Sequence, residues 1–173
     1  ECDNYNGGIL ATNYLYEAGC RNIIHTTGRS NIDMPSNLRD KAYKDAMMSF
    51  GLTPCSYPIY FDMNNEEKKK HFKEMFIKYP NLDGIFAGND VEAAIIMKVA
   101  QKLGKKIPED IKIIGFDGTK LCRNLMPNLP TVVQPIELMA SNAITILEKR
   151  LNGEEIDLKT TFPVKLYDGH TYK

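Results

Sequence analysis

Leu82-Asp83-Gly84-Ile85-Phe86-Ala87-Gly88-Asn89-Asp90 is the stretch whose reading decides the fold. A short, unbroken apolar run closing in Gly-Asn-Asp reads as a fully buried strand handing over to a helix. Residues 91–103 then supply the helix, with Val91, Ala94, Ile95 and Val99 apolar, and residues 111–116 supply another buried strand. Two strands joined by a helical crossover lie parallel, and right-handed crossovers place helices on both faces of the sheet. Working outward, residues 22–27 and 57–61 read as further strands. Helices read over 7–18, 38–50 and 66–79, the last carrying Phe72, Met75, Phe76 and Tyr79 on one face. The predicted fold class is α/β, a doubly wound parallel sheet with helices on both faces. Beyond residue 117 the order changes to a loop over 118–130, a short β-like piece at 131–134, a helix over 136–151 and a last β-like run at 160–167.

The chain has 173 residues, with 22 basic and 22 acidic side chains, so no net charge draws it as a whole to nucleic acid or an anionic membrane. No apolar run approaches the roughly 20 residues of a membrane span. Cys2, Cys20, Cys55 and Cys122 show neither metal-type spacing nor the density of a disulfide scaffold, so reduced thiols in a cytoplasmic protein are expected. His25, His71 and His170 lie far apart in the sequence, so no metal is expected. There is no G-x-G-x-x-G, P-loop or G-x-S-x-G, and no cofactor is expected. The start at Glu1 suggests the middle of something longer.

In such a sheet, ligands bind beyond the carboxyl ends of the strands. Gly28-Arg29-Ser30 and Arg39 follow the first predicted strand, Asp62 and Met63 the second, Asn89-Asp90 the third and Asp117-Gly118 the fourth. Guanidinium, amide and carboxylate groups suit a polyol, whose hydroxyls both donate and accept; Phe61 or Met63 offers apolar surface for a sugar face. Asp90 is expected to cap the helix that follows it, leaving Asn89 for contact. Asp117 also fits an ordinary turn, and Arg39 a surface arginine. His25 is expected in a core or surface role. A hydrolase or transferase using Asp117 lacks a paired base in the sequence.

Three sets of residues carry a resemblance. Asp3-Asn4-x-x-Gly7-Gly8 leads to Gly19-Cys20-Arg21 and Arg39-x-x-Ala42-Tyr43. Asp83-Gly84-Ile85-Phe86-Ala87-Gly88-Asn89-Asp90 is followed by Ile113-Ile114-Gly115-Phe116-Asp117. Pro127-x-Leu129-x-Thr131-Val132-x-Gln134-Pro135 closes the series. Together these resemble the sensor region of the lactose repressor/galactose repressor family of bacterial transcription factors. The resemblance implies a periplasmic-binding-protein-like type I lobe over 1–134, a crossover helix over 135–159 belonging to a truncated second lobe, and a terminal strand and tail over 160–173. It places the DNA-binding head upstream and implies a homodimer. It also implies effector contacts from Arg39, Asn89, Asp117 and Gln134, with Met63 and Asp3 as weaker correspondences. The function implied is a repressor that couples a carbohydrate-like effector to operator DNA. The alternative is a sugar-binding protein of a transport system, which has the same architecture. The helix over 136–151 is expected to lack a packing partner within this chain, and Val91, Leu121, Leu125 and Met126 are expected at a dimer contact.

Overall fold

The computed structural model describes residues 1–28, 34–154 and 159–169. Arg29, Ser30 and His170 lie outside the described residues. In chain order the elements are α1 Asn4–Glu17, β1 Ile23–Gly28, α2 Pro35–Ser49, β2 Cys55–Ile59, α3 Asn65–Lys78, β3 Gly84–Phe86, α4 Asp90–Lys102, β4 Lys112–Asp117, α5 Lys120–Leu125, β5 Thr131–Val133, α6 Ile136–Leu151 and β6 Lys165–Tyr167. They build a six-stranded sheet in the order β2-β1-β3-β4-β5-β6, parallel except for β6. The order reverses between β1 and β3, and at such a switch point the adjoining loops diverge and leave a crevice.

Alternation along the strands divides the core. Ile23, Phe86, Ile114 and Phe116 pack with α1 and α2 residues such as Leu15, Tyr43 and Met47. Ile24, Ile85 and Ile113 pack on the other face with Phe72, Met75, Phe76, Ile96 and Val99. A period of two along β1 therefore sends His25 toward the α2 face and Thr26 toward the α4 face. This alternation sets up the site.

Several elements differ from the sequence reading. β2 runs over Cys55–Ile59, two residues earlier than predicted, because pairing from Ile24 with Cys55 to Gly28 with Ile59 fixes its register. Tyr60 to Met63 then turn rather than extend, with the Met63 N–H donating to Tyr60 O at 3.2 Å. The predicted loop after β4 contains α5, capped by Thr119, whose hydroxyl oxygen accepts from Cys122 N–H at 3.2 Å. It buries no residue, so it had no apolar period to betray it. On α4 the buried stripe is Glu92, Ala93, Ile95, Ile96, Val99 and Ala100, while Val91 is 60% exposed. α6 carries Ile136, Leu138, Ile144, Leu147 and Leu151 exposed and buries none of its residues. β6 joins the same sheet by pairing antiparallel to β5, and Cys2 bridges to Phe162. No helix among the described residues is long and apolar enough to cross a membrane.

Candidate functional site

A cavity of about 350 Å³ opens at the carboxyl ends of β1 and β3, the switch point of the sheet. Arg39, Asn89, Gln134, Glu92, His25 and Phe61 are among the residues lining it. Four buried side-chain polar atoms among the described residues lack a hydrogen-bond partner: His25 Nε2, Ser36 Oγ, Arg39 Nε and Arg123 Nε. The first three belong to residues that line this cavity. Buried polar groups are nearly always paired, so a cluster of orphans around one opening marks where a polar ligand or solvent supplies the missing bonds.

Arg39 is placed by the close crossing of α1 and α2. A Cβ on Gly8 would stand 2.7 Å from Arg39 O and 2.8 Å from Ala42 Cβ, and one on Gly7 would stand 2.7 Å from the Phe116 ring. The glycine pair lets α2 and Phe116 approach α1, and the guanidinium then rests 4.2 Å above the Phe116 ring centroid. Helix α2 begins at Pro35, so Arg39 stands in the second turn and opposes the helix dipole less than its sequence position suggested. Burial lowers its pKa, and the Asp117 carboxylate acts in the opposite direction.

Asp117 ends β4 with φ 107°, a left-handed conformation that side chains rarely adopt. Gln134, at the end of β5, holds it there. Gln134 Nε2 donates to Asp117 Oδ1 at 2.6 Å, and Gln134 N–H donates to Asp117 O at 3.1 Å. Burial raises the Asp117 pKa; the bond from Gln134 and the Arg39 charge counter it. Arg39 and Gln134 line the cavity, whereas Asp117 does not; it stands behind Gln134, within reach of the Arg39 charge.

The cap expected at Asp90 falls one residue earlier, to Asn89. Asn89 is the N-cap of α4, its Oδ1 accepting from Glu92 N–H at 2.8 Å, and it also lines the cavity. Asp90 is the first helical residue and is buried. Its Oδ2 accepts from Gly118 N–H at 2.9 Å and Thr119 N–H at 3.3 Å, while Oδ1 accepts from the Thr131 hydroxyl. It ties α4 to the loops after β4 and before β5. Burial pushes its carboxyl up to about 6.

Met63 and Asp3 are placed elsewhere. Met63 lines a separate depression with Tyr60, Asp62, Glu67 and His71, a consequence of the β2 register. Phe61 takes the place beside the cavity, its ring lying where a Cβ on Gly28 would stand at 2.9 Å. Asp3 caps α1, its Oδ1 accepting from Asn6 N–H at 2.9 Å, and its neighbours Cys2 and Asn4 line the cavity.

His25, Ser36 and Glu92 escaped the sequence reading as cavity residues. The His25 ring is stacked on Phe86 and its Nδ1 is 2.9 Å from Phe86 O, so Nδ1 carries the proton and Nε2 is an acceptor. Burial lowers its pKa to about 4, which keeps it neutral. Glu92 lies on the buried stripe of α4, where its spacing of four from Ile96 and seven from Val99 is the available signal. An acid on an apolar stripe needs a partner.

A family profile described as a periplasmic binding protein-like domain matches residues 12–172. The sucrose operon repressor of Pediococcus pentosaceus is 34% identical over 171 residues, covering 98% of this chain and 52% of that protein. The ribose operon repressor of Halalkalibacterium halodurans is also 34% identical, with 98% and 51% covered. The chain thus spans about half the length of the curated relatives it matches. Among solved structures, the periplasmic binding protein/LacI transcriptional regulator from Alkaliphilus metalliredigens complexed with D-xylulofuranose superposes with a TM-score of 0.86 at 34% identity, over 99% of this chain and 64% of that one. A LacI family regulator from Enterococcus faecium with bound ribose gives 0.81 at 26% identity, over 96% and 61%.

Proposed function

The chain belongs to the periplasmic binding protein-like domain family, with LacI-family repressors as its relatives, and on that premise we propose that it is the effector-sensing region of a bacterial transcriptional repressor. Its effector is a sugar or sugar derivative, and sugar binding is coupled to operator DNA. The observation that carries this reading is the group of orphaned polar atoms on His25, Ser36 and Arg39 around one cavity at the switch point. Arg39 donates to sugar oxygens, Asn89 and Gln134 offer amide groups, Asp117 accepts from hydroxyls, and the exposed ring of Phe61 covers an apolar sugar face. Relatives named for sugar operons favour a regulator over a transport protein, and their being repressors agrees with a function without catalysis.

In this reading residues 1–134 form one lobe and α6 crosses to a second, which explains an amphipathic helix with no buried residue. The effector bridges the lobes, shifts the balance between open and closed states and thereby alters operator affinity in a cytoplasmic homodimer. Val91, Leu121 and Leu125, all well exposed, are candidates for the dimer contact. Thermal melting with a panel of free sugars tests the site, since a ligand stabilises whatever state it binds. We expect at least one sugar to raise the melting temperature, and Arg39→Ala to abolish the rise while the unliganded chain stays folded. An unchanged rise in that variant refutes the assigned role.

A further inference from the structure

The cavity holds a carboxylate that the roles above leave unused. Glu92, in the first turn of α4, lines the cavity and is 8% exposed. Its Oε2 accepts from the Thr26 hydroxyl at 3.2 Å, and that hydroxyl is itself fixed by the Gly88 N–H at 2.9 Å. Its Oε1 forms an ion pair with Lys68 Nζ at 3.8 Å, too long for a hydrogen bond. A carboxylate has about four acceptor positions, so most of its capacity is unspent by the protein. A Cβ on Gly88 would stand 2.9 Å from Oε2, so the glycine leaves the carboxylate uncovered. A buried acceptor in this condition calls for a donor from outside the chain.

The charges around the opening narrow that donor. Among the described residues lining the opening, Glu1 and Glu92 are the acids and Arg39 carries the guanidinium. A phosphoryl dianion placed here meets two like charges at short range in a partly desolvated site, whereas a hydroxyl meets acceptors it can satisfy. We infer that Glu92 contacts a hydroxyl of the effector and that this site takes an uncharged polyhydroxy ligand in preference to its phosphate ester. This inference rests on the sugar-sensing reading above.

Calorimetric titration of the 173-residue chain with ribose, sucrose and xylulose, and with ribose 5-phosphate, sucrose 6-phosphate and xylulose 5-phosphate, tests it. The expected result is binding of a free sugar at least tenfold tighter than its ester. Glu92→Gln, which removes the charge and keeps the shape, is expected to weaken the free sugar about tenfold and to narrow the gap to the ester. Glu92→Asp withdraws the carboxylate and keeps the charge; it is expected to weaken the sugar while preserving the gap. Wild-type affinity for the sugar in both variants, or an ester bound as tightly as its sugar by the unmutated chain, overturns the inference and leaves the sugar-sensing reading intact. Binding of no compound by the unmutated chain overturns that reading and this inference with it.

Discussion

The first turn of α4 carries two buried carboxylates, one on each side, and the regions they face treat them differently. Toward β4 and β5, Asp90 receives two backbone N–H groups and a hydroxyl, and the joint between strand ends is closed. Toward β1, Glu92 receives one hydroxyl and a long ion pair from Lys68, and around the cavity His25, Ser36 and Arg39 present atoms with no hydrogen-bond partner. The functional group is the same in both regions. A carboxylate whose acceptor positions are filled by its own chain acts as a rivet, whereas one left part-filled beside a cavity is available to a ligand.

This contrast breaks most readily at Asp90. Asp90→Ala strands a buried N–H, a half-buried N–H and a buried hydroxyl, each buried group costing about 1–3 kcal/mol, so a loss of about 3 kcal/mol or more is expected in chemical denaturation. Glu92→Gln is expected to cost less than about 1.5 kcal/mol, since it forfeits little internal bonding. Equal losses in the two variants erase the distinction.

The next effect in size is acid sensitivity at the cavity floor. The folded-state pKa of His25, about 4, lies below its ordinary 6.5, so its contribution is fully present above 6.5 and is lost as pH falls through 4. A shift of this size corresponds to about 3 kcal/mol. Asp90 works in the opposite sense: its folded value of about 6 lies above 3.8, so the penalty for burying its charge is felt above pH 6 and disappears below 3.8. Because the two oppose each other, total stability against pH is uninformative and the difference between wild type and His25→Leu isolates the histidine. That difference should move by about 3 kcal/mol against wild type between pH 7 and pH 4. A difference that does not change with pH means that His25 is not held neutral.

The smallest effect concerns the end of β4. Asp117→Gly and Asp117→Ala both lose the carboxylate and its bond from Gln134, but only glycine accepts φ 107° without strain. The glycine variant is therefore expected to be more stable than the alanine variant by about 1 kcal/mol, with effector binding lost in both. Equal stability of the two shows that the backbone there stores no strain.

Much of this was legible in the residues. The stretch from Leu82 to Asp90 and the apolar stripe of α3 announced parallel strands with covering helices, because periodicity reports burial directly. Asn89 and Asp117 were legible at strand ends and Arg39 beyond the first strand, whereas Gln134 came only from the family resemblance. The β2 register was not, since Tyr57, Ile59 and Phe61 alternate equally well in either frame, and the two-residue difference puts Phe61 rather than Met63 beside the cavity. Glu92 and His25 were missed because an acid within a helix and a histidine within a strand look like ordinary surface or core until their neighbours are known.

The order of apolar and polar residues along the chain determined the parallel sheet, the helices on its two faces and the end at which a ligand would sit, since these follow from local period and from the handedness of crossovers. Tertiary structure alone decided which polar atoms were left without partners. Hydrogen bonding is settled between residues distant in sequence, as when Asp90 meets Gly118 and Thr131, so only the folded chain separates carboxylates already satisfied from those still open to a ligand.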